Sequence, residues 1–502
     1  MPSFTIPSSQ WPDDHSQTPH ERDQLLSSSD PYSLSASSSL ISSYGGTAPK
    51  TVDAPPSGTL GSSILILISS VFGSSILAVP FAFSKCGWFL GTICLIFCGL
   101  LTQLGAHFLL ESAYLVSSSL APSSSPRCLA FSDIAARATP RLAFLPNVLV
   151  VVNCLGSAVA SLVVAGDLMP RTFRDLAILS DHSSLIENAN GLLDDYLLHR
   201  SLWVSLILLL VLPLCFLRSI TPLRYAGLVT CIAVSYFIIV VVTLFIFPSA
   251  GACLLYSSPP SSSISCAKNV IPFPPSLPVL LHHLLLACPV FFFSFSINFQ
   301  VLPIHNALRN PSLHTTHLAI ATALICSGLT YLLVSLSAYS TFGELVQSNL
   351  FKNYGNTWPL DTARLLMLLV VALLYPLVIF SARASLLTLL RPSSSSSSPP
   401  SRRLFILLTC LLLLLSFGLA LAFQDLSVIL GTVGALATVP ISLTLPSLYY
   451  LSLALPPSLP SQQAKEGDGE GGRGGEGWRI VARLGVGMGL LMSIVFLYGT
   501  YV

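Results

Sequence analysis

The sequence predicts an all-α membrane protein of about eleven transmembrane helices, and three observations carry that prediction. Of 502 residues, 53% are hydrophobic and only 9% are charged, whereas a soluble domain carries about 25% charged residues. The mean hydropathy is +0.76, which suits lipid better than water. Charge-free apolar runs near the ~20 residues that cross a hydrocarbon layer recur along the chain. The same figures exclude a soluble enzyme and a disordered scaffold. Twenty-three Lys and Arg against 21 Asp and Glu leave a net +2, too little for the basic footprint of a nucleic-acid binder.

Residues 1–58 are rich in Ser and Pro and lack the basic start and apolar core of a secretory signal. They read as a disordered cytoplasmic tail. Within it, ERDQLL at 21–26 places Glu21 four residues ahead of Leu25 and Leu26. That spacing has the form of an acidic dileucine sorting signal read by an adaptor, although six residues of this kind also arise by chance. Spans follow at 60–83, 88–110, 145–167, 201–217, 224–247, 279–303, 318–340, 362–385, 404–423, 427–449 and 480–501. The apolar run at 426–464 is long enough for two helices, but Pro446, Pro456, Pro457 and Pro460 favour one helix and a proline-rich exit.

An odd number of spans puts the termini on opposite sides, and the basic residues choose between them. With the N-terminus cytoplasmic, 16 of the 23 Lys and Arg fall on the inner side and 7 on the outer. The Ser run 393–398 and the Gly-rich stretch 467–477 then lie in cytoplasmic loops as flexible linkers. Twelve cysteines without a C-x-x-C pair fit neither a zinc site nor a thioredoxin-type centre. Cys253 and Cys266 share an outer loop where a disulfide can persist; pairing and free thiols both fit. No cofactor is expected, since the chain has no H-E-x-x-H, G-x-S-x-G or P-loop.

Two spans are interrupted. The first reads FGSSILAVPFAF at 72–83, with Gly73, Ser74 and Ser75 near its middle and Pro80 removing a helical donor. The sixth reads PVFFFSFSINFQVLPI at 289–304, where Ser294, Ser296 and Asn298 stand among phenylalanines ahead of Pro303. Irregular backbone at mid-depth must line a cavity. Breaks five spans apart are the mark of an inverted-repeat carrier, while small residues that merely pack membrane helices are the plainer reading of each break alone.

Longer motifs carry a resemblance. FGSSILAVPFAFSKCGW (72–88), GSAVASLVVAGDLMP (156–170), FSFSINFQVLPIHNAL (293–308), AYSTFGELVQSNLF (338–351) and ARLLMLLVVALLYPLVIFSAR (363–383) resemble, in order, segments of the amino acid/auxin permease family. The match is to its eukaryotic vacuolar and neutral amino acid transporters. Ser75 stands where a second Gly is usual, Asn298 where many members carry His, and Ala338 replaces a Gly. The resemblance implies a LeuT-type fold with five-helix repeats at 59–250 and 251–450, a flexible cytoplasmic loop at 451–477 and an eleventh helix at 478–502. It implies that Phe72, Gly73, Ser74 and Ser75 flank the substrate carboxylate through backbone N–H groups, with Ser70 in the same substrate site and Phe293, Phe295 and Asn298 lining the side-chain pocket. An aromatic wall with no charged partner suits neutral amino acids.

Sodium-coupled relatives carry oxygen-bearing residues at positions that here hold Ile66 and Ser69, and a hydroxyl at one corresponding to Ala372 or Leu374. Backbone carbonyls could still ligate sodium, but proton coupling, or passive exchange, is expected ahead of sodium symport. Ionisable groups within spans are functional candidates, and His283 and Asp167 are placed first as proton carriers. His107 with Glu111, His282, His305 and Arg383 also lie at span ends, where solvated end groups are expected. The resulting expectation is a secondary transporter of neutral amino acids, in the vacuolar or lysosomal membrane. The alternatives are a sensor signalling through its cytoplasmic tails and a plasma-membrane uptake carrier.

Overall fold

The computed structural model describes residues 59–118, 130–179, 199–217, 226–247, 276–309, 311–355, 357–390, 401–454 and 472–501. Every regular element among them is helical. The proposed sorting signal (Glu21, Leu25, Leu26) and the loop bearing Cys253 and Cys266 lie outside the described residues.

The first span is two helices, α1 (Leu60–Val71) and α2 (Ser75–Cys86), bent 61° at the break between them. Next come α3 (Trp88–Ser118), a short α4 (Phe131–Ala138), α5 (Leu145–Leu179), α6 (Arg200–Cys215) and α7 (Ala226–Ile246). The sixth span is also divided, into α8 (Leu277–Ser294) and α9 (Asn298–Ala307). Then follow α10 (Leu313–Phe342), α11 (Trp358–Leu390) and α12 (Arg402–Ala422). The tenth span is α13 (Leu426–Val433) and α14 (Leu445–Ala454) joined by wide π turns, and α15 (Gly472–Tyr501) closes the chain.

Among the described residues nine helical runs are long and apolar enough to cross a bilayer, and the bent α1–α2 pair makes a tenth. The remaining predicted span coincides with α6, which has 16 residues. At 1.5 Å per residue it is about 24 Å long, shorter than a hydrocarbon core of about 30 Å. The sequence reading placed no helix at α4, whose first turn is held by the Asp133 carboxylate accepting from the Ala130 amide at 3.0 Å.

Polarity is arranged for a lipid solvent. Leu209, Leu210, Ile239, Leu414 and Ile494 are more than 60% exposed, whereas Thr102, Ser112, Thr230, Ser327 and Ser335 are fully buried. Thr102, Ser112 and Thr230 return their hydroxyl protons to carbonyls four residues back, which satisfies them without leaving their helices. Two glycines turn the chain in the left-handed region, Gly87 (φ 80°) between α2 and α3 and Gly343 (φ 59°) after α10. A side chain would be strained at either position.

The π turns have a visible cause. Pro440 has no amide to donate, and the ladder around it shifts by one residue, so that Val439 N–H reaches Gly434 O and Leu445 N–H reaches Pro440 O. Neighbouring helices approach this segment through glycines. A Cβ on Gly105 of α3 would lie 1.5 Å from Ser442 O, and one on Gly434 would lie 2.2 Å from Pro289 O of α8.

The most extensive interhelical contact joins α5 to α11, and α2 lies along α8. Two buried arginines fasten α11. Near its start Arg364 is fully buried, pairs with Asp361 at 2.7 Å and donates to the carbonyls of Tyr354 and Gly355. Arg383 was expected at a span boundary, but α11 continues to Leu390 and the residue is 2% exposed. Its Nη1 donates to Cys215 O and Thr409 Oγ1, both at 3.0 Å, and its guanidinium lies 4.0 Å from the Phe405 ring centre. These partners satisfy the charge inside the bundle and explain its departure from the boundary.

Candidate functional site

Each helix break leaves backbone groups without intrahelical partners. At the first, Phe72 turns to extended backbone (ψ 104°) after its amide bonds Ile68 O, and α2 begins again after Ser74. At the second, Phe295 and Ser296 donate to Phe292 O and Phe293 O in a tightened turn, and Ile297 N bonds Phe295 O at 2.9 Å. Pro80 and Pro303, which cannot donate, follow the two breaks within α2 and α9.

A cavity of about 200 Å3 opens at these breaks. It is somewhat larger than a cavity of about 150 Å3 that holds benzene, a size that suits one small molecule. Its lining comes from the first break (Ser69, Ser70, Val71, Gly73, Ser74, Ser75), the second (Phe293, Ser296, Phe299, Gln300), α5 (Asn153, Cys154, Ser157, Ser161), Gly227 of α7, and α11 (Leu374, Leu377, Val378, Ser381), with Ile66 from α1. None of these described residues carries a carboxylate, an ammonium, a guanidinium or an imidazole. The buried thiol of Cys154 packs as a small hydrophobe.

The predicted site residues divide accordingly. Ser70, Gly73, Ser74, Ser75 and Phe293 line the cavity. Phe72 and Phe295 do not; their rings stand edge-on to Tyr331, with centroids 6.2 and 5.7 Å from it. Asn298 faces the tenth span instead, where its Nδ2 donates to Ser442 O at 2.9 Å. Phe295 and Asn298, expected in the side-chain pocket, thus stand off the lining of this cavity. Phe295 fits between Gly99 and Gly328, and Asn298 is drawn to a carbonyl on the π segment.

The α5 wall escaped the motif reading. Asn153, Ser157 and Ser161 recur every four residues and therefore share one helix face. Asn153 is fixed between two elements: its Nδ2 donates to Ser296 Oγ at 3.1 Å, and its Oδ1 accepts from Thr438 Oγ1 at 2.9 Å. That polar period within an apolar span was the available signal. Ser381, one turn beyond Leu377, places a hydroxyl on the eighth span at the cavity, farther along than Ala372 or Leu374.

Neither proton-carrier candidate lines the cavity. Asp167 is braced by Lys352 Nζ at 2.9 Å, Arg200 Nε at 3.6 Å and Asn349 Nδ2 at 3.3 Å, joining α5 to α6 and to the segment after α10. Replacing its carboxylate would leave two cations facing each other in a nearly buried site. Asp167→Asn is therefore expected to lower the apparent unfolding temperature by several degrees while leaving the pH profile of uptake unchanged in shape; a displaced profile would restore its candidacy. His283 sits on α8 with its Nδ1 buried and unpartnered. His107 Nδ1 lies 3.3 Å from His317 Nε2, a contact between α3 and α10 rather than a solvated end.

The bundle and its breaks define a class: a many-span helical membrane protein that encloses a small, uncharged cavity at two interrupted helices. The chain belongs to the transmembrane amino acid transporter protein family, whose model matches residues 56–465, and this bears out the resemblance read from its motifs. The family is one of transporters, not enzymes. Vacuolar amino acid transporter 5 of Schizosaccharomyces pombe is 29% identical over 319 residues, 63% of this chain. The match covers 66% of that protein, just under two thirds of its length. Sodium-coupled neutral amino acid transporter 7 of Homo sapiens is 24% identical over 345 residues, 66% of this chain and 67% of its own. Among solved structures, a manganese transporter of Eremococcus coleocola covers 91% of this chain and 90% of its own at 11% identity, with a TM-score of 0.47.

Proposed function

We propose that the chain is a secondary transporter that moves neutral amino acids by alternating access. The observation that carries this reading is the cavity, whose lining includes no charged side chain although the cavity lies where two helices expose their ends. A zwitterion has one charge of each sign, and helix ends supply one complement of each. The amides at the start of α2, around Gly73, Ser74 and Ser75, suit a carboxylate, and the carbonyl end of α1 suits an ammonium. The neutral walls leave no partner for a charged side chain.

Two arrangements support a repeat of five and five helices at 59–250 and 251–450. The first and sixth spans are both broken, and the third and eighth, which such a repeat makes equivalent, form the most extensive helix pair. The eleventh helix stands outside it. The excess of basic residues supports a cytoplasmic N-terminus, and the vacuolar transporter name of the fission yeast relative supports the vacuolar or lysosomal membrane.

Coupling to a proton is favoured over sodium because Ile66 and Leu374, at two of the cavity-wall positions where sodium-coupled relatives carry an oxygen-bearing side chain, bring none. The deciding experiment is uptake of labelled L-alanine, L-glutamine, L-leucine, L-lysine and L-glutamate by proteoliposomes under a pH gradient, a sodium gradient or neither. Flux of the neutral members that follows the pH gradient is expected. Flux of only the charged members would overturn the substrate class, and flux that follows sodium alone would overturn the coupling.

A further inference from the structure

We propose that the hydroxyl of Tyr331 is a latch shared by the two helix breaks, within reach of both and holding one at a time, making Tyr331 a positioning residue for the opening and closing of the cavity. The proposal rests on the carrier reading above, which gives the opening its purpose. Tyr331 lies within α10 and is fully buried. Its Oη is 2.9 Å from Val71 O, 3.1 Å from Ser294 O and 3.0 Å from Ser75 Oγ. Val71 is the last residue of α1 and Ser294 the last of α8. A single hydroxyl on a third helix therefore reaches a terminal carbonyl of both broken spans.

The protons determine what the cluster can do. Two hydroxyls bring two protons to two carbonyls. With Ser75 donating to Val71 O, at 3.2 Å, Tyr331 is free to donate to Ser294 O, and both helix ends are satisfied. With Ser75 donating to Tyr331 instead, the phenol turns to Val71 O and Ser294 O is released. Rotating two O–H bonds thus moves the Tyr331 proton from one break to the other and releases Ser294 O, with no displacement of heavy atoms. A buried carbonyl left without a donor is costly, so parting the breaks requires the cluster to be rearranged.

The ring is fixed in place to serve this. The rings of Phe72 and Phe295, one from each break, meet Tyr331 edge-on at interplanar angles of 82° and 72°. Tyr331 itself does not line the cavity, whereas Val71 and Ser75 do. It therefore acts on the solute through the breaks and not by contact, and this gives Phe72 and Phe295 a part in the site that does not require them to touch a substrate.

The test is Tyr331→Phe, which keeps the ring and removes the hydroxyl, made in the full chain. Hydrogen–deuterium exchange in detergent should quicken about tenfold or more in the peptide covering 292–299, where Ser294 O loses its donor, while 70–77, whose Val71 O keeps the Ser75 hydroxyl, and α5 and α11 hold their rates. Unchanged exchange at 292–299, or a rise of equal size throughout, would overturn the latch. Ser75→Ala is the second variant. One proton then remains for two carbonyls, and faster exchange at one break only is expected; acceleration at both or at neither would contradict the proton arrangement. In proteoliposomes loaded for L-alanine uptake, Tyr331→Phe should lower kcat about tenfold and move KM by less than threefold. A change confined to KM would make the hydroxyl a binding group and overturn its positioning role. Absence of L-alanine flux in the unaltered chain would count against the carrier reading, and the exchange measurements would still decide the latch.

Discussion

Gly73→Trp abolishes uptake, by about a hundredfold or more, and leaves the protein folded: that is the result expected from the space around this residue. An added Cβ at Gly73 meets no heavy atom within 4 Å, and Gly73 is not among the glycines with positive φ. The backbone therefore accepts a side chain, and the open space it would enter belongs to a cavity of only about 200 Å3. An indole occupies most of the room a solute needs, whereas a methyl group occupies little. Gly73→Ala should retain uptake within about threefold, and both variants should unfold at the temperature of the unaltered chain. Full uptake by Gly73→Trp would place the solute elsewhere; unfolding by Gly73→Ala would mean that the break itself needs the glycine. Loss of about a hundredfold corresponds to about 2.7 kcal/mol of lost stabilisation.

The second large effect is on folding. At Gly105 a Cβ would stand 1.5 Å from Ser442 O and 2.7 Å from its carbonyl carbon. The obstacle is backbone, so no rotamer relieves it, and α3 must separate from the π segment of the tenth span. The Asn298–Ser442 hydrogen bond lies against the same contact, with Asn298 Nδ2 3.4 Å from the added carbon. Overpacking of this kind costs about 1–3 kcal/mol and often more. Gly105→Ala should lower the apparent unfolding temperature by roughly 5 °C or abolish monodisperse expression. Gly487→Ala is the control, since a Cβ there meets nothing within 4 Å, and equal losses in both variants would discount the close contact as the cause.

The apolar runs were legible in the sequence because lipid imposes a single demand, a long stretch without charge, and the helices found follow the predicted spans in order. Both breaks were legible for a related reason: Gly73, Pro80, Ser296 and Pro303 are out of place in an uninterrupted membrane helix. The orientation of individual side chains was not. Asn298 and Phe295 sit beside a break in sequence, but the Ser442 carbonyl of the π segment claims the first and a slot between two glycines claims the second. Both partners come from spans far away in the chain. The polar face of α5 was available as a four-residue period, yet its neighbours Gly156 and Asp167 belong to a recognisable motif that drew the reading elsewhere. Tyr331 carried no local signal, since a lone tyrosine in an apolar run becomes informative only when the carbonyls facing it are known.

A cavity lined by neutral groups has an electrical consequence. If the solute is a zwitterion, neither the loaded nor the empty site carries net charge through the membrane field, and the voltage does no work on either passage. All of the voltage dependence then belongs to the coupling ion. One elementary charge moved through 100 mV is worth about 2.3 kcal/mol, which corresponds to roughly fifty-fold accumulation of the solute. The reversal potential of the carrier current, measured at known solute and ion gradients, would thus count the coupling ions moved per amino acid, with no charge from the solute to subtract.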